Sequence, residues 1–149
     1  VGKTNDKHFQ AGIDDYCQRI GHYMPFSITV IPELKNTKSL SFQQQKEREG
    51  ELILAKLQSS DHVVLLDEHG KDFRSVEFAR WIEQKNASVR RLVFVIGGPY
   101  GFSEAVYSRA NEKISLSKMT FSHQMVRLVF VEQIYRACTI IKGEPYHHE

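Results

Sequence analysis

Residues 92–101 read Leu92-Val93-Phe94-Val95-Ile96-Gly97-Gly98-Pro99-Tyr100-Gly101. Five apolar residues run without alternation and stop at a cluster of glycines and a proline. A short unbroken apolar run closed by turn residues marks a strand buried on both faces, as parallel strands are. His62-Val63-Val64-Leu65-Leu66-Asp67 repeats the pattern, with Gly70 just beyond. Two such strands separated by helical periodicity predict a parallel sheet, whose ligands bind at the carboxyl ends of its strands.

The flanking segments extend this pattern. From Asp6 to Gly21, Phe9, Ile13, Tyr16, Cys17 and Ile20 recur at helical spacing, and Gly21 is a natural stop. Phe26 to Ile31 alternates and is β-branched, which predicts a strand with one half-wet face. Pro32 to Gln45 is polar and reads as a long loop entering a helix that runs on through Glu51, Leu52, Ala55 and Leu57, with Lys46 to Glu49 as its solvated first half. A helix over about Ser75 to Gln84 buries Val76, Ala79 and Ile82, or else Phe78 and Trp81. Ser103 caps a short helix through Asn111, Ile114 to Ser117 is a last short strand, and His123 to Lys142 is a long final helix closed by Gly143 and Pro145. The alternation predicts an α/β fold, a parallel sheet flanked by helices on both faces. Val1-Gly2-Lys3 reads as the end of a first strand trimmed at its front. No repeat or linker divides residues 1–149, so one domain is expected.

Composition narrows the function classes. The 149 residues carry 20 Lys and Arg against 18 Asp and Glu, a formal charge of +2, too weak to indicate nucleic acid by itself. Cys17 and Cys138 are the only two cysteines, which excludes a disulfide framework or a four-cysteine metal site. No apolar run reaches the ~18 residues of a membrane span and no signal peptide opens the chain, so a cytoplasmic protein is expected.

Several residues are candidates for chemistry. The glycine loop either approaches a ligand with its backbone or makes a tight strand-to-helix turn, and it matches neither the dinucleotide fingerprint nor the P-loop. Asp67 is either a catalytic carboxylate or a turn cap. The final helix is apolar nearly all round, so it is buried on nearly every face, either within one chain or by covering the sheet and a second subunit. On it, Glu132 and Arg136 stand at i and i+4, suited to an ion pair, while Arg127 and Arg136 are alternatively placed to present guanidinium groups to phosphate. Pro145-Tyr146-His147-His148 is an unusual terminus: Tyr146 is either a packing anchor or, with His147, part of a site. Adjacent histidines make a poor metal site, and no metal is expected.

Four blocks together resemble the RlmH (YbeA-like) family of SPOUT methyltransferases: Leu65-Leu66-Asp67 with Gly70-Lys71; Phe94 to Gly101; Leu116 to Arg127; and Glu132 to Ala137 with Pro145-Tyr146-His147. The resemblance covers essentially the whole chain and implies a SPOUT α/β fold with a C-terminal trefoil knot. It implies a homodimeric enzyme that methylates N3 of a pseudouridine in helix 69 of 23S ribosomal RNA on the assembled 70S ribosome, with S-adenosylmethionine as donor. Carried over, the cofactor contacts are Leu66, Gly98, Ser117, Lys118, Met119, Thr120, Phe121 and Ser122. Tyr146 and His147 serve catalysis, His147 by assisting deprotonation or orienting the uracil edge, and Arg127, Arg136 and His148 face the RNA. Ser122 departs from the proline common in the family, and His148 from its arginine or lysine. The competing class is a non-enzymatic nucleotide-binding or ribosome-associated module, which has no need of the Tyr-His terminus.

Overall fold

The structure, a computed structural model, describes residues 1–148. Helix α1 (Lys7–Ile20) starts at Asp6, whose carboxylate accepts from the amides of His8 and Phe9. Helix α2 (Phe42–Ala55) begins at a reciprocal cap: the Gln44 amide donates to Ser41 Oγ at 3.1 Å and the Ser41 amide to Gln44 Oε1 at 2.9 Å. This cap satisfies two of the amides that a helix start leaves open. It moves the helix into the polar stretch expected to be loop, of which residues 32–41 remain outside the helix, with a single 3-10 turn at Thr37–Ser39.

Strands β1 (His62–Asp72), β2 (Leu92–Val95) and β3 (Glu112–Ser115) form a parallel sheet in the order β2-β1-β3. Between them run α3 (Ser75–Ser88) and α4 (Glu104–Arg109), and α5 (His123–Lys142) follows, closed by Gly143 at φ +71°. The α/β reading of the sequence is therefore what the chain adopts.

Alternation along β1 divides the core. Val63 and Leu65 face Ile53, Phe102 and Val106 of the α2/α4 layer, while Val64 faces Ile13, Phe78, Phe130 and Ile134 of the α1/α3/α5 layer. Helix α3 buries both sets that its periodicity offered as alternatives, Ala79 and Ile82 together with Phe78 and Trp81, although Val76 is only half-buried.

Three strand expectations need correction. β2 lies at the edge of the ladder, so Leu92, Val93 and Phe94 are half-buried and only Val95 is fully covered. Phe26 to Ile31 forms no strand and neither does Val1 to Lys3. Single bonds, Gly2 N–H to Ile31 O at 2.8 Å and Val1 N to Ile96 O at 2.7 Å, tether these segments beside β2 without building a ladder. Ile28 and Val30 stay about half exposed as a result.

Candidate functional site

The sheet register assembles one edge. Leu65 pairs with Val95 and Leu66 with Ile114, so Leu66, where β1 begins to bulge, stands level with the ends of β2 and β3. Gly98 lies two residues past Ile96, and Ser117 three past Ile114. The structure thus brings Leu66, Gly98 and the start of the 117–122 segment to the carboxyl edge, where parallel sheets bind ligands.

Each strand end is held by a local device. Leu66 and Lys71 both oppose Ile114, and residues 67–70 bulge out between them. Asp67 closes the bulge by accepting from the His69 amide at 2.8 Å and from the Tyr107 hydroxyl. Burial pushes its carboxyl up, but these bonds outweigh burial and hold it below the usual range. It is the turn cap of the two readings. Gly70 passes the backbone of Ile114 so closely that a Cβ there would stand 2.6 Å from its amide nitrogen and carbonyl carbon.

In the glycine loop a Cβ at Gly97 would strike the Phe102 ring, and one at Gly98 would meet the Glu49 carboxylate at 2.6 Å. The Gly98 amide donates to Glu49 Oε1 at 3.0 Å. Tyr100 stacks on Phe42 with ring centres 4.4 Å apart. Glu49 and Phe42 escaped sequence reasoning because Lys46-Glu47-Arg48-Glu49 reads as a solvated charge run. Their seven-residue spacing, shared in phase with buried Ile53, was the available signal.

After β3, Ser115 Oγ donates to Ser117 O, and Ser117 Oγ accepts from the Met119 amide, each at 3.0 Å. Lys118, Met119 and Thr120 are exposed, Met119 at 79%, while Phe121 is half-buried. Ser122 caps α5 by accepting from the Met125 amide at 3.2 Å. A hollow of about 40 Å³ bordered by Phe73, Ser75, Phe78, Ile114, Leu116 and Gln133 adjoins this segment. A larger one of about 350 Å³ at the amino end of β3, by Asn111 and Lys113, holds none of the candidates.

The terminus folds back on α5. Arg136 Nη2 donates to Glu132 Oε1 at 2.5 Å, and its Nη1 meets His147 Nδ1 at 3.1 Å. The Tyr146 hydroxyl reaches the same Glu132 oxygen at 3.0 Å and lies 3.4 Å from the Tyr16 hydroxyl. Burial first, and then these two partners, drive the Tyr146 phenol well above its usual pKa. The Tyr135 ring packs edge-on against Tyr146. Tyr146, His147 and Arg136 are thus gathered into one cluster, whereas His148 is exposed. A guanidinium only donates, so His147 Nδ1 is the acceptor in this contact. Arg127 lies elsewhere: it donates to Val1 O at 2.8 Å and Thr4 Oγ1 at 2.9 Å, bracing the first residues against α5.

Among the described residues, no group of three or more His, Cys, Asp or Glu is placed to hold a metal ion, and no helix is long and apolar enough to cross a membrane.

Comparison with known proteins gives a consistent result. Residues 1–147 match the family described as "Predicted SPOUT methyltransferase". The chain is 66% identical over 150 residues to the ribosomal RNA large subunit methyltransferase H of Bacteroides fragilis, covering 100% of this chain and 96% of that protein. The proteins of the same name from Phocaeicola vulgatus and Flavobacterium johnsoniae are 65% and 57% identical, each with 100% of this chain and 96% of the relative covered.

Proposed function

Because the chain belongs to the SPOUT methyltransferase family, we propose that it methylates ribosomal RNA, with S-adenosylmethionine as donor and N3 of a pseudouridine in helix 69 of 23S RNA on the assembled 70S ribosome as acceptor. The observation that carries the reading is the carboxyl edge, where Leu66 at the β1 bulge, Gly98 after β2 and Ser117 after β3 follow register-paired positions of three neighbouring parallel strands.

The residues at that edge suit the donor. Gly97 and Gly98 pack closely on Phe102 and Glu49, where a Cβ would collide, and a glycine backbone can also come close to a ligand. Leu66, Met119 and Phe121 offer apolar surface to an adenine, and the backbone of Ser117 to Ser122 offers hydrogen bonds to its edge. When bound, S-adenosylmethionine supplies a methyl carbon activated by a sulfonium. The work left to this chain is to place the acceptor nitrogen in line with that carbon, the chief source of acceleration in such a displacement.

Tyr146 and His147 are proposed to hold the acceptor base. His147, whose Nδ1 faces Arg136 at 3.1 Å, either assists removal of the N3 proton, which passes on to solvent, or orients the uracil edge. Tyr146 packs on the base. Arg136 and exposed His148 face the phosphates, and Arg127 adds its charge beside the amino-terminal segment. The +2 charge is small for a protein that binds RNA through its backbone alone, which favours a target presented by the assembled ribosome.

A homodimer is part of the proposal. Helix α5 keeps Met125, Val126, Leu128, Val129 and Ile140 only half-buried and Ile141 exposed, apolar surface that a second copy would cover. Ser122 and Arg136 stand fourteen positions apart, about 21 Å along a helix axis, so a second copy packed across α5 is the means of bringing a terminus to a cofactor loop. The family reading also carries the trefoil knot.

Calorimetric titration with S-adenosylmethionine, with NAD as control, is the first test, followed by methyl transfer to ribosomes that lack the modification. Binding of the donor alone with transfer to ribosomes is expected. Silence toward both ligands would overturn the proposal in favour of a non-enzymatic module.

A further inference from the structure

We infer that Glu49 is a positioning residue for the donor site: its carboxylate holds the Gly98 amide and sets the shape of the glycine loop before the donor arrives. The inference rests on the reading of Gly98 as a donor contact. The loop is intrinsically loose, with three glycines in five residues, one of them, Gly101, at φ +81°. A loop of this kind costs affinity when a ligand has to order it, and prior ordering returns that affinity. Helix α2 supplies the ordering from one face. Phe42 and Glu49 are seven residues apart, so they project on the same side. Phe42 stacks on Tyr100 at 4.4 Å while Glu49 Oε1 accepts from Gly98 N–H at 3.0 Å. Gly50 adds close contact, since a Cβ on it would collide with Ser103 Oγ. The helix therefore grips both ends of residues 98–103. Gly98 is also required for the grip, because a side chain there would displace the carboxylate.

The test compares Glu49→Ala, Glu49→Asp and Glu49→Gln with the unaltered full chain, titrating each with S-adenosylmethionine and measuring kcat and KM on unmodified ribosomes. Gln keeps an acceptor oxygen at the same reach. Asp keeps the charge but is one methylene too short. Donor affinity is expected to fall about tenfold for Ala and Asp and to stay within about threefold for Gln, a difference of ~1.4 kcal/mol or less. KM for the donor should rise with kcat at saturation unchanged, a split that general destabilisation would not produce. Should Ala fail to fold, the Asp and Gln pair still decides. Unaltered binding by Asp or Ala would overturn the inference while leaving the donor site intact, and so would a Gln variant as weak as Ala. Failure of the unaltered chain to bind the donor would overturn the reading of the loop itself.

Discussion

The Arg136 guanidinium carbon lies 4.8 Å from the centre of the Tyr146 ring, and both side chains end on the same Glu132 oxygen. One carboxylate therefore ties the terminal segment to α5. Tyr146→Phe keeps the ring and deletes the hydroxyl bond to a charged acceptor, for a loss of about 1.5 kcal/mol in urea unfolding. Arg136→Lys should lose more methyl transfer than Tyr146→Phe, since an ammonium cannot reach Glu132 and His147 with one planar fork. Single-turnover rates on ribosomes read that ranking.

His147 separates binding from chemistry. His147→Ala should bind S-adenosylmethionine within about twofold of the unaltered chain, yet transfer methyl about 100-fold more slowly, the scale expected for one positioned polar group. His147→Gln retains an N–H donor and should recover part of the rate. An alanine variant with a normal rate would remove His147 from the mechanism.

Two glycines give opposite outcomes. At Gly70 an added Cβ meets the Ile114 backbone at 2.6 Å, which cannot yield, so Gly70→Ala should cost about 3 kcal/mol of stability. At Gly98 the obstacle is the end of the Glu49 side chain, which can swing away. Gly98→Ala should therefore unfold close to the normal midpoint and lose donor affinity instead. Chemical denaturation and calorimetry on the two proteins separate the cases.

Stability should fall at both ends of the pH scale. Arg91 pairs with buried Asp61, at 2.5 Å to Oδ2, and holds its carboxyl low. On Glu112 burial pulls upward, but His62, Lys85 and Trp81 together outweigh it and lower the pKa. A depressed carboxylate stabilises the fold above its unfolded pKa of about 4 and loses that contribution as pH drops through the folded value. On the alkaline side the bond to Glu144 raises Tyr23 to about 12, and burial raises Cys138 to about 11. Raised acids give their full contribution below their unfolded values of about 8.5 to 10 and lose it as pH climbs through the folded ones. Urea midpoints should be level near neutrality and decline below about pH 4 and above about pH 9, with Tyr23→Phe flattening part of the alkaline limb.

Much of the fold could be read directly from residue order. Leu92 to Val95 and the start of His62 to Asp72 are strands because their apolar runs are short and end in turn residues. Asp6, Ser103 and Ser122 start helices where a short side chain can accept open amides. The start of α2 was less legible because the pattern Ser41-Phe42-Gln43-Gln44 lies within a polar stretch, and only its reciprocal hydrogen bonds separate helix from loop. Phe26 to Ile31 has the alternation of a strand, yet forms no ladder, since pairing needs a partner backbone that periodicity cannot supply.

The same division holds at the site. Local sequence determined the glycine loop, the helix caps and the apolar α5, because each depends on neighbours within a few positions. Tertiary structure alone decided that Glu49 holds Gly98 across 49 residues, that Arg127 braces Val1, and that Tyr146 joins the Glu132–Arg136 pair already legible from its i, i+4 spacing. A charged side chain has the same local preferences whether it meets water or a buried amide. Its partner is chosen by packing between distant segments, a choice that composition and spacing do not encode.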